Sequence, residues 1–162
     1  MHIGIYRIAS LPVLLALALL WAGRAFSADM VVLNAPDQKP ATLDATSLAA
    51  LSATETTTVY RSSKGIESGI YKGVLLWDLL TATGIMTDDH KAALRHSLLV
   101  TASDGHQVVF SVGEIAPEFG NRPVLLAYEM NGAPIPDGLR MVVPGDLRGA
   151  RHIKNIVTLD YR

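Results

Sequence analysis

Residues 125–155 read LLAYEMNGAPIPDGLRMVVPGDLRGARHIKN, and the fold is decided in this stretch. An apolar run, 124–128, meets Asn131-Gly132, a dipeptide that accepts positive φ and so marks a tight turn. A second apolar run, 139–143, stops at Pro144-Gly145. Beyond it lies a polar, glycine-bearing loop with three cations, Arg148, Arg151 and Lys154, and one imidazole, His152. Glycines beside clustered cations allow backbone N–H groups and side-chain charges to converge on an anion. On composition alone, a solvated surface loop is the competing reading.

Upstream of this stretch, residues 75–83 carry the clearest helical pattern. Leu75, Leu76, Leu79 and Leu80 share one face, and Gly84 follows as the stop. Asp78 lies off that face and reads as a solvated or capping acid. Residues 88–94 suggest a second short helix capped by Thr87. Residues 97–101 and 108–112 read as strands around the turn Ser103-Asp104-Gly105-His106, and 112–115 as a helical turn before Pro117.

Nearer the start, 30–33 is a β-branched run expected to be the first strand, and 36–40 a polar connection. Leu48 and Leu51 stand at helical spacing behind Asp44 and Thr46, so 46–51 predicts one or two helical turns. The threonine-rich 54–60 favours a strand, whereas 61–69, with its serines, glycines and alternating charge, reads as a loop. The last strand is expected over 153–161. Helices and strands interleave without a regular βαβ period or an internal repeat, which predicts a mixed α+β fold in one domain over 28–162.

The first 27 residues have the layout of a secretory signal: the basic start MHIGIYR, an apolar stretch over 8–22, and the small-x-small site Ala25-Phe26-Ser27. The apolar stretch is short for a membrane span, which needs about 20 residues. Left uncleaved, it would anchor the chain to a membrane. Its removal takes Arg7 and Arg24 and no acid, moving the formal charge from −1 to near −3. That balance gives no electrostatic footprint for nucleic acid. The absence of cysteine excludes disulfides and thiolate metal sites.

Searches for other chemistry return little. No histidine pair has the i, i+4 spacing of a helical zinc site, His90 and His96 being six apart. There is no nucleophile elbow, no phosphate-binding P-loop and no dinucleotide fingerprint, and Glu114, Glu118 and Glu129 show no paired-carboxylate spacing. His106 and His152 each sit in a loop and remain candidates, with an exposed loop histidine as the simpler reading for His106.

The closing segments LLAYEMNG and LRMVVPGDLRGARHIKNI, with YKGVLLWDLLTATGI and SDGHQVVFSV upstream in the same order, resemble the molybdopterin-binding domain of the sulfite oxidase family. The resemblance covers about residues 30–162. It implies that family's mixed-sheet fold and a cofactor site in which a GAR-x-x-K segment contacts the pterin and its phosphate, in a domain that the signal sends to the periplasm or outside the cell. Carried onto this chain, those residues are Gly149, Ala150, Arg151 and Lys154, with His152 between them and Asp104 as a further acid in the preceding turn. An arginine fork and a lysine point charge suit a phosphate.

The pattern breaks where the metal would be held. Active members of the resembling family hold molybdenum through cofactor sulfurs and one protein cysteine, and the corresponding stretch 56–63, TTTVYRSS, has no sulfur. The signal also carries a lone Arg7, whereas folded, cofactor-loaded enzymes are exported behind a twin-arginine pair. The expectation is therefore a domain that binds a small anionic or pterin-like ligand without molybdenum chemistry. Its alternative is an active molybdopterin oxidoreductase moving an oxygen atom and two electrons. A periplasmic partner protein is a further guest that the sequence leaves open.

Overall fold

In the computed structural model, residues 30–86 and 89–162 are described. The signal segment read over 1–27, and the cap read at Thr87, lie outside the described residues.

Two five-stranded sheets enclose the core. The first is built from β1 (Val31–Asn34), β2 (Ala41–Leu43), β5 (Ser97–Ala102), β6 (Gln107–Ser111) and β10 (Ile156–Tyr161), in the order β2-β1-β10-β5-β6. Its β1–β10 pair is parallel, with Leu33 opposite Leu159, and its other pairs are antiparallel. The second runs β3 (Thr54–Ser62), β4 (Gly65–Leu75), β7 (Leu125–Met130) and β8 (Ala133–Pro134), with β9 (Arg140–Val142) also pairing β7. Leu33, Leu98, Val100 and Leu159 of the first sheet join Val74, Leu126 and Met141 of the second in one buried cluster. Burial of such side chains contributes about 1.5–3 kcal/mol each, which is how a chain with no cysteine holds together.

The helices are short: α1 (Ala45–Ala49), α2 (Leu76–Ala82), α3 (His90–Ala93) and α4 (Val112–Ile115). α2 buries Leu76, Leu79 and Leu80, starts where Leu76 N–H donates to Val124 O, and ends at Gly84 with φ 71°. α1 opens with a capping box between Asp44 and Ser47. The turn read at Asn131-Gly132 joins β7 to β8, both residues having positive φ.

The fold is the α+β, mixed-sheet, single-domain arrangement that the sequence predicts, with three local differences. Residues 61–69 form the closed end of a long hairpin, in which Arg61 pairs Ile66 and Ser62 pairs Gly65. Arg61 lies on the outer face of this hairpin and Glu67 on the inner one beside Tyr60, a two-residue period that a loop reading overlooks. Residues 41–43 form an edge strand, too short to announce itself in sequence. The last strand begins at Ile156, because Ile153 O accepts from Met141 N–H and Asn155 turns the chain at φ 52°. Gly73 sits at a register shift between β4 and β7, where a Cβ would overlap the Leu126 carbonyl.

Candidate functional site

The β3–β4 hairpin and the loop after β9 meet along one seam. Arg61 N–H donates to Leu147 O at 3.0 Å, and Arg61 bridges Arg148 in parallel sense, so the loop is stitched to the end of β3. A 3-10 turn, Gly149–Arg151, then delivers His152 to the inner face of the hairpin. Alternation along β3 sends Val59 and Arg61 outward and Thr58 and Tyr60 inward. His152 therefore stacks on Tyr60, ring centroids 3.9 Å apart at 21°.

This junction borders a cleft of about 150 Å³, lined by Tyr60, Ser62, Ser63 and Glu67 from the hairpin and by Arg140, His152 and Lys154 from the opposite side. Lys64 and Gly149 complete the wall. Arg140 is the first residue of β9, flanked by the apolar Leu139 and Met141, and is 5% exposed. Its Nη1 donates to Tyr71 Oη at 3.2 Å and its Nη2 to Tyr60 Oη at 3.1 Å, while its Nε is buried without a partner. Tyr60, directly across from Glu67 in the hairpin, donates to Glu67 Oε2 at 3.1 Å. His152 is 6% exposed, and neither of its ring nitrogens has a hydrogen-bond partner.

The electrostatics follow from burial and from this wiring. Burial pushes the His152 pKa down to about 4, against the pull of Asp146, so its ring is neutral at ordinary pH. Burial also pushes the Tyr60 phenol up, the Arg140 charge opposing it, so Tyr60 stays protonated and able to donate. Hydrogen bonding from Ser62 and Tyr60, with Lys154 and Arg140 nearby, holds the Glu67 carboxyl below its usual range. Lys64, Arg140 and Lys154 thus face one carboxylate, and the cleft is net positive.

The structure distributes the sequence-predicted residues unevenly. Gly149, His152 and Lys154 line the cleft, as do Tyr60, Ser62 and Ser63 from the stretch without sulfur. Arg151 points elsewhere. Its Nε and Nη2 donate to the two oxygens of Asp146 at 2.7 Å, and its Nη1 to Glu114 at 2.9 Å, over the Phe110 ring. Arg122 joins the same carboxylates. Arg151 holds the Asp146 carboxyl well below the ordinary range and is itself raised by it. Asp104 and Ala150 meet indirectly: Asp104 accepts from His106 N–H at 2.9 Å, and His106 Nε2–H donates to Ala150 O at 2.9 Å. They brace the loop from the β5–β6 turn and lie off the cleft wall. Arg140 is the residue that sequence reading misses, and a cation inside the run LRMVV is the signal that exposes it.

With that geometry in place, the family follows. Residues 29–162 match the oxidoreductase molybdopterin binding domain, and the chain belongs to that family. Among solved structures it is similar to the sulfane dehydrogenase SoxCD from Paracoccus pantotrophus, with 20% identity and a TM-score of 0.64 over 82% of this chain. The match spans 37% of that chain, so the likeness is one of fold. No curated protein matches this chain.

The residues at the cleft fit one part of a molybdenum cofactor and miss another. Arg140 and Lys154 suit a phosphate. The donors facing the cleft are phenol, hydroxyl, carboxylate, imidazole, guanidinium and ammonium; the protein has no thiolate to offer a metal. Pockets that bury whole organic ligands run to roughly 300–1,000 Å³, above the about 150 Å³ present. The site does not fit a thiolate-held molybdenum centre.

Proposed function

We propose that this chain is an exported, periplasmic member of the molybdopterin-binding domain family that binds a small anionic or pterin-like ligand without molybdenum catalysis. The observation that carries this reading is the set of buried, unpartnered nitrogens, Arg140 Nε and both ring nitrogens of His152, beside one net positive cleft. A buried polar atom left without a partner costs about 1–3 kcal/mol. A guest with acceptor oxygens would relieve part of that cost and meet the excess positive charge. Export is supported by the sequence pattern of residues 1–27, and the absence of a twin-arginine pair from its basic start agrees with a ligand acquired outside the cell. The ligand-bound domain would act as a sensory or accessory module, presenting its bound state to a periplasmic partner.

Isothermal titration of the mature chain with inorganic phosphate, sulfate and pterin phosphates tests the binding claim. Saturable binding that disappears in Arg140→Met supports it, and no heat from any titrant defeats it. Elemental analysis of protein taken from its native compartment tests the other half. Stoichiometric molybdenum would overturn the metal-free reading in favour of oxygen-atom and two-electron transfer.

A further inference from the structure

Tyr60 is held by several neighbours. One face of its ring stacks on His152 at 3.9 Å. A Cβ at Gly149 would meet Tyr60 Cδ2 at 2.9 Å, so the ring also lies close against the glycine backbone. Its hydroxyl is fixed between Glu67 and Arg140, and the residue is 4% exposed although it borders the cleft. The stacking face that His152 would otherwise offer is thus taken. A buried imidazole face suits any planar heteroaromatic ring, and here a side chain of the protein lies on it.

The remaining cleft has a different character. At about 150 Å³ it is below the roughly 300–1,000 Å³ of pockets that bury a whole organic ligand, and it has room for a phosphate or sulfate ion. Its walls are polar: Ser62, Ser63, Arg140 and Lys154. A ring attached to an anion that fills it would have to lie outside the cleft, toward solvent, where it buries little.

We propose that Tyr60 is the specificity-determining residue of this site, a resident ring that covers the stacking face of His152 and restricts the cleft to a small oxyanion. This rests on the anion-binding reading above and narrows its ligand class. A ring-bearing phosphate is bound through its phosphate alone, with no contribution from the ring, until the tyrosine side chain is removed.

The test is a titration series of inorganic phosphate, phenyl phosphate and 6-hydroxymethylpterin phosphate, run on the wild-type chain, Tyr60→Ala and Tyr60→Phe. Wild-type protein should bind the three within a factor of about three, since stacking that does not form contributes nothing. Tyr60→Ala should favour the pterin phosphate over inorganic phosphate, both measured on that variant, by about tenfold, the worth of one buried aromatic stack. Tyr60→Phe keeps the ring and should keep the wild-type pattern. A wild-type preference of about tenfold or more for the pterin phosphate overturns the resident-ring proposal and leaves the anion site standing. The same preference in Tyr60→Phe also overturns it. No binding of any titrant to any of the three proteins sinks the anion site itself, and this proposal with it. The wild-type series decides the matter alone should the alanine variant not fold.

Discussion

Arg151 and Arg140 approach the same loop from opposite sides and live in opposite circumstances. Arg151 makes three hydrogen bonds to acid oxygens in a closed cluster, where Asp146 and Glu114 serve both it and Arg122. Arg140 meets two phenols, a thioether and a carboxylate 3.9 Å away, with Nε unused. A cation whose charge is already answered holds structure together, whereas one with spare donors is available to a guest. The residue that a motif names and the residue that chemistry requires are thus different arginines.

The widest separation between the two clusters is expected from Arg140→Met. It leaves the Tyr60 and Tyr71 hydroxyls and Glu67 without their cation, for a loss of about 2–4 kcal/mol in urea unfolding, together with the loss of phosphate binding. If anion affinity survived this change within about threefold, the distinction drawn here would fail.

A pH titration of stability sharpens the contrast next. His152 titrates at about 4 in the folded chain and at 6.5 when unperturbed. The unfolded chain therefore takes up the proton first, and stability falls as pH drops from 6.5 to about 4. That gap corresponds to roughly 3 kcal/mol, and His152→Phe should flatten this limb of the curve. The Asp146 carboxyl behaves differently: held low by Arg151, it contributes stability above the ordinary carboxylate range, lost as pH falls below it. An unchanged slope in His152→Phe would show that the ring is hydrated in the native state.

Arg151→Ala should cost less, about 1–2 kcal/mol, because its partners keep some contact with solvent and Arg122 remains to answer them. It should also remove the acid limb that belongs to Asp146 while shifting phosphate affinity less than Arg140→Met does. The smallest effect is expected from Asp104→Ala, whose exposed carboxylate only accepts from His106 N–H. Thermal unfolding should move by no more than about 0.5 kcal/mol.

Much of the fold was legible where one physical signal acts alone. The leucines of α2 repeat at helical spacing up to Gly84, and Asn131-Gly132 can hardly be anything except a turn. Hairpin residues 61–69 were harder, because Ser63 and Lys64 turn the chain while Arg61, Ile66 and Ser68 lie on an exposed strand face that carries no apolar alternation. The site was half legible for a related reason. Cations in a glycine loop advertise themselves, which singled out Arg151 and Lys154, yet sequence cannot say which cation has an acid beside it. Asp146 and Glu114 come together only when α4 packs against the loop. Arg140 was hidden inside apolar neighbours, and the burial of His152 depends on the stitch between Arg61 and Leu147, a contact between segments far apart in sequence.

The alternation along β3 has one more implication. Because neighbouring side chains point to opposite faces, a single residue gained or lost in that strand would turn the phenol outward and present valine or arginine to the guest instead. Within this architecture, the ligand proposed for the cleft would therefore depend on strand length as well as on side-chain replacement, and a sequence that keeps every letter of the motif could still recognise something else.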